Sequence, residues 1–195
     1  MRRWIAGWLI GTAALPAWAT QAHDLVAAAR AQIGVTVGYD PRYVRLAFLG
    51  GDVPIERGVC TDVVVRAYRK LGADLQLLVH RDMAAHWSAY PHAWGLSRPD
   101  TNIDHRRVPN LETYFARHGQ RVLVTRSSAD YLPGDIVTWR LPGNLPHIGI
   151  VADARSSAGT PLVIHNIGGG ANMDDRLFEF TINGHYRYVV PTRAN

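Results

Sequence analysis

The chain has 195 residues, 47% of them apolar, and a formal charge of +5. That length suits one domain with a proper core, and that composition excludes a disordered chain. Lys70 is the only lysine and no basic run occurs, so nucleic-acid binding is excluded as a function.

The first residues, "MRRWIAGWLIGTAALPAWATQA", have the three parts of a secretory signal. Arg2 and Arg3 form the positive start, and Trp4 to Leu15 the apolar stretch. "AWA" and "TQA" offer cleavage after Ala19 or Ala22. The apolar run is too short to span a bilayer comfortably, so no stable membrane insertion is expected after cleavage. Without Arg2 and Arg3, and with no acid lost, the remainder carries +3, which suits an anionic surface such as a cell wall. Residues 1–22 are therefore read as a signal peptide, 23–195 as a single domain, and the destination as periplasmic.

"HDLVAAARAQIG" (23–34) predicts a helix with Asp24 as cap and Gly34 past its end. Residues 39–58 are rich in Gly, Pro and Asp and read as loop. In 59–72, Val63, Val64, Ala67, Tyr68 and Leu71 fall on one helical face, and Gly72 closes it. Cys60 lies at the start of this helix. Residues 74–91 predict one or two helical turns ended by Pro91, and "NLETYFARHG" (110–119) a helix capped by Asn110. The period then changes. Residues 135–141, 147–153, 161–167, 178–182 and 185–190 are short β-branched or aromatic runs, with "NG" at 183–184 marking a hairpin. Helices followed by an antiparallel meander make an α+β layout.

Cys60 is the only cysteine, and one thiol cannot pair within the chain. A thiol is a nucleophile only as thiolate. A helix start offers N–H groups and partial positive charge that lower its pKa, and a neighbouring imidazole can carry its proton. His147 opens one apolar strand and His165 interrupts another, so two neighbouring strands can bring them together. Each also has an ordinary structural reading: a histidine at a strand start on the surface, one inside a strand satisfied in the core.

Several motifs, taken in order, resemble a known group. "YLPGDIVTWRLPGNLPHIGIV" (131–151) resembles the "PGD, strand, then H-[VI]-G-[IV]" signature of NlpC-like cysteine peptidases of the papain-like superfamily. "GVCTDVV", "VPNLETYF", "VIHNIGGG" and "GHYRY" extend the likeness over about 39–190 to an exported bacterial family catalogued as domain of unknown function 1287. The resemblance implies a papain-like fold with N-terminal helices packed on a C-terminal antiparallel sheet. It implies Cys60 as nucleophile, His147 as general base and acid, and His165 as the group orienting His147, with Asn166 as the alternative third residue. Better-known relatives read "DCSG" at the nucleophile, where this chain has Val59, Cys60, Thr61 and Asp62. Asp62 is thus a candidate for holding substrate or for capping the helix. Tyr43 is a candidate substrate contact or a packing aromatic.

The histidines at 80, 86 and 92 miss the usual zinc spacing, so no metal and no cofactor are expected. Trp87, Trp94 and Trp139 either line a groove or pack in the core. The expected activity is a cysteine peptidase or amidase cleaving an amide in peptidoglycan or a related peptide. A wall-peptide-binding module without turnover and a thioester-forming acyltransferase are the alternatives.

Overall fold

A computed structural model describes residues 17–191. Arg2, Arg3 and the whole apolar stretch of the signal lie outside the described residues.

Helix α1 runs from Ala17 to Arg30, so it starts well before Asp24, and Asp24 is not its cap. The segment "AWATQA" holds strong helix formers and no breaker, and Pro16 stands just before it. Two short strands follow, β1 (Gly38–Tyr39) and β2 (Arg57–Gly58), paired in parallel. They lie at the two ends of the stretch expected to be loop. Helix α2 (Cys60–Lys70) comes next, then α3 (Leu75–Ala85), which is longer than the one or two turns expected. The Asp74 side chain caps α3 by accepting from the Gln76 N–H at 3.2 Å. Helix α4 spans Val108–His118. Asn110 is inside it rather than at its cap, because Pro109 occupies the first turn with a φ suited to it. The Asn110 amide instead donates to the Asp104 carbonyl at 3.1 Å.

The remaining strands form one antiparallel sheet. They are β3 (Gln120–Arg121), β4 (Ile136–Leu141), β5 (Leu145–Arg155), β6 (Pro161–Asn166), β7 (Ala171–Asp174) and β8 (Thr181–Arg187). Their order across the sheet is β3-β8-β4-β5-β6-β7. Strands β4 to β7 form a meander, and the chain then crosses to pair β8 with β4. The "NG" at 183–184 makes no hairpin. It lies within β8, where the register passes from Gly184↔Thr138 to Ile182↔Trp139 and leaves Asn183 as an extra residue. An extra residue bends a strand without ending it.

Alternation along the strands divides the core. Ile136, Ile148, Ile150 and Ile164 meet Val63, Val64, Ala67, Tyr68 and Phe115 on the helix side. Val137, Trp139, Val151, Val163 and Leu177 pack on the other face with Tyr131. Full burial of each such aliphatic side chain contributes roughly 1.5–3 kcal/mol. The "PGD" turn is fixed by Asp135, which accepts from Leu132 N–H at 2.9 Å, His185 Nε2 at 2.7 Å and Arg187 Nε at 2.7 Å. That joins the start of β4 to β8 and accounts for two of the sequence motifs at once.

Candidate active site

Cys60 is the first residue of α2, and Val59 takes the N-cap position. Valine has no acceptor, so the helix start is held another way. Asp62 Oδ2 accepts from the Val59 N–H at 2.7 Å. The same carboxylate takes two bonds of 2.9 Å from Nε and Nη2 of Arg106. Both oxygens are engaged and the pair is buried. Asp62 therefore caps the helix, with both oxygens engaged by protein donors. Arg66 of α2 ties down the preceding loop through Asp52 at 2.8 Å and the Arg57 carbonyl at 3.0 Å. Together these contacts fix where the thiol begins its helix.

The Cys60 thiol is 4% exposed. The backbone N–H groups of Ile148, Thr61 and Cys60 itself lie close enough to the sulfur to favour its thiolate. Ile148 follows His147 in β5. The β5–β6 ladder reaches Ile150↔Ile164 and does not continue to Ile148. The sulfur thus enters where the two strands part, one residue from His147. Among the described residues no hydrogen bond joins the thiol to an imidazole.

His147 and His165 meet as expected from neighbouring strands. Nε2 of His147 lies 2.7 Å from Nδ1 of His165. Both rings sit over the buried indole of Trp139, with centroids 5.7 and 6.4 Å from it. Trp139 is core, anchored by its N–H to the Leu177 carbonyl at 2.9 Å. Gly149 makes the pairing possible, because a Cβ there would stand 3.2 Å from the His165 Cβ and 3.0 Å from the Ile164 carbonyl. Trp87 is partly buried and stacks on His92, while Trp94 lies under the Arg107 guanidinium at 4.1 Å.

Asn166 faces elsewhere. Its amide donates to the carbonyls of Gly38 at 3.2 Å and Gly58 at 3.1 Å. Its carbonyl accepts from Gly168 and Gly170 N–H. It stitches the β1–β2 pair to the sheet and does not contact His147. Gly170, with φ +95°, passes so close to the chain that a Cβ would lie 2.5 Å from the Thr36 carbonyl. Of the "GGG" run only Gly170 is close-packed; Gly168 and Gly169 have open space around them.

Tyr43 is 56% exposed and bonds Asp100 and Asn102, each at 3.0 Å, joining two surface loops. The tyrosine near the thiol is Tyr39, which sequence reasoning missed. Its register partner is Gly58, two residues before Cys60. Burial, Cys60 and Asp62 push its phenol up to about 12, so it stays a hydrogen-bond donor at neutral pH. The "GYD" triplet gave no periodic signal because β1 is only two residues long. Asp174 was also missed: its Oδ2 lies 3.3 Å from Nε2 of His165.

The electrostatics differ from the helix-start expectation. Burial pushes the Cys60 thiol up to about 12, outweighing the three N–H groups that favour thiolate. Burial pulls His147 down to about 3, and the neighbouring His165 adds to that. Burial also lowers His165, against the pull of Asp174. The resting site thus holds a neutral thiol beside neutral imidazoles. A cleft of about 900 Å³ lies elsewhere, lined among others by Leu78, Arg81, Tyr114 and His118, and none of these site residues faces it. Among the described residues no cluster of His, Cys, Asp or Glu has the makings of a metal site.

The family described as "Domain of unknown function (DUF1287)" matches residues 26–188. The chain belongs to this family. It is 59% identical over 162 residues to "Uncharacterized protein YijF" of Escherichia coli (strain K12), covering 83% of this chain and 79% of the relative. Among solved structures it is similar to NlpC1 from Trichomonas vaginalis, at 18% identity over 85% of this chain with a TM-score of 0.46. It is also similar to NlpC2 of the same organism, at 16% identity over 85% of this chain with a TM-score of 0.43. This chain spans 44% and 46% of the length of those two, less than half of each.

Proposed function

We propose that this protein is an exported, periplasmic cysteine hydrolase that cleaves an amide bond in peptidoglycan or a related wall peptide. The observation that supports the reading is a paired imidazole, His147 with His165, on the residue next to Ile148, whose backbone N–H lies by the helix-start thiol. The Cys60 sulfur sits on the Ile148 N–H, and the adjacent His147 is held through Nε2 by His165. In this reading Cys60 attacks the substrate carbonyl while Nδ1 of His147 takes the thiol proton. A thiolate and an imidazolium formed together carry no net charge, so burial penalises the pair less than either alone. The N–H groups at the start of α2 and the Tyr39 phenol stabilise the oxyanion. His147 then gives its proton to the leaving amine, and water releases the acyl group.

The test uses the protein without residues 1–19 and purified peptidoglycan, with products identified by mass spectrometry. New amine termini are expected, absent with Cys60→Ala and reduced roughly 10²- to 10⁴-fold with His147→Ala. A wall left intact by the unaltered protein, with binding retained, would favour a binding module. Transfer of the acyl group to an added amine in preference to water would favour an acyltransferase.

A further inference from the structure

Both ring nitrogens of His165 are engaged. Nδ1 lies 2.7 Å from Nε2 of His147, and Nε2 lies 3.3 Å from Oδ2 of Asp174. A hydrogen bond between two neutral imidazoles needs one protonated and one bare nitrogen. Burial holds both rings neutral. A carboxylate can only accept, so Nε2 of His165 carries the proton that faces Asp174. Nδ1 of His165 is then bare and accepts from Nε2–H of His147. Nδ1 of His147 is left bare in turn, with a lone pair free to receive a proton.

We propose that Asp174 is a positioning residue: through His165 it fixes both imidazoles as Nε2–H tautomers and leaves Nδ1 of His147 as the base for Cys60. This rests on the hydrolase reading for its consequence, though not for its geometry. The placement follows from the sheet. His165 pairs with Asn172 across β6 and β7, so Asp174, two residues on, returns to the same face. Its other oxygen accepts from the Asn172 amide at 2.9 Å, which steadies the carboxylate. The charged groups around the relay are Arg176, 3.5 Å from Asp174 Oδ2, and Glu179, which pairs with Arg176 at 2.9 Å. Asp174 is partly exposed, so the fold tolerates its replacement.

Nitrogen-15 NMR of the histidine rings at neutral pH reads the tautomers directly. The unaltered protein is expected to show protonated Nε2 and bare Nδ1 on both His147 and His165. Asp174→Ala should bring a substantial Nδ1–H population on His147 and slow alkylation of Cys60 about 10- to 100-fold, the general-base magnitude halved on a logarithmic scale. Asp174→Glu should restore both. Should the alanine variant not fold, Asp174→Leu, which also removes the acceptor, is read the same way. Unchanged tautomers without the carboxylate would overturn the proposal, whatever the hydrolytic activity. Tautomers that follow Asp174 in a protein inert towards peptidoglycan would support it while removing the hydrolase reading.

Discussion

His165 and Asn166 are neighbours in one strand, and their side chains leave on opposite faces. That alternation gives them different work, and substitution should separate the two. Asn166 is fully buried and makes four hydrogen bonds to backbone groups of β1, β2 and the glycine turn. Replacing it by alanine leaves buried carbonyl and N–H groups without partners. Asn166→Ala should therefore lose about 2–4 kcal/mol of stability in urea unfolding. His165→Asn keeps a polar side chain over Trp139 and should change stability by about 1 kcal/mol, while wall hydrolysis falls at least about tenfold. Equal stability losses in the two variants, or full activity in His165→Asn, would show that the division of roles is wrong.

At the scale of elements, α2 and β4 to β6 were legible because each is long enough to show its period. Val63, Val64, Ala67 and Tyr68 mark a helical face, and "HIGIV" and "LVIHN" mark alternating strands. The positions of Cys60, His147 and His165 followed from those elements, and their expected roles from the family resemblance. What was not legible depended on contacts distant in sequence. Strands β1 and β2 have two residues each and exist because Asn166, more than a hundred residues away, binds their carbonyls. Tyr39 is placed by that pairing, so no local pattern marked it. "NG" was misread because its hairpin meaning needs strands that pair with each other, whereas β8 pairs with β4 and β3. The start of α1 bears on export. Gln21 bonds Val190 at both its amide atoms, each at 2.8 Å, and Ala22 packs against Gly134. A protein beginning at Thr20 keeps these contacts, and one beginning at His23 loses them. The longer form should be more stable by about 1–3 kcal/mol, two neutral hydrogen bonds' worth, when the two are compared by denaturant unfolding. Identical midpoints would mean that α1 adds nothing before His23.

Across the whole molecule, three of the buried histidines, His105, His147 and His165, set how stability depends on pH. Burial lowers His147 to about 3 and His105 to about 4, and it lowers His165 as well. An unfolded histidine titrates near 6.5. Below that value the unfolded chain binds protons that the folded chain refuses, so stability is present above about 6.5 and is lost as pH falls. The buried carboxylates act lower on the scale. His185 and Arg187 hold Asp135 below the usual carboxylate range, and Arg117 and Tyr90 do the same for Asp82. Loss between pH 6.5 and 4 should therefore come chiefly from histidine. His105 isolates the effect because it lies in the turn before α4 and its Nδ1 has no hydrogen-bond partner. Leucine at that position removes the titrating group and leaves no buried nitrogen unsatisfied. His105→Leu should match or exceed the stability of the unaltered protein at pH 7. At pH 4 it should retain about 3 kcal/mol that the unaltered protein loses through this residue, as the linkage of a shift of this size requires. Parallel stability curves for the two proteins from pH 7 to pH 4 would mean that His105 is protonated as readily in the fold as outside it.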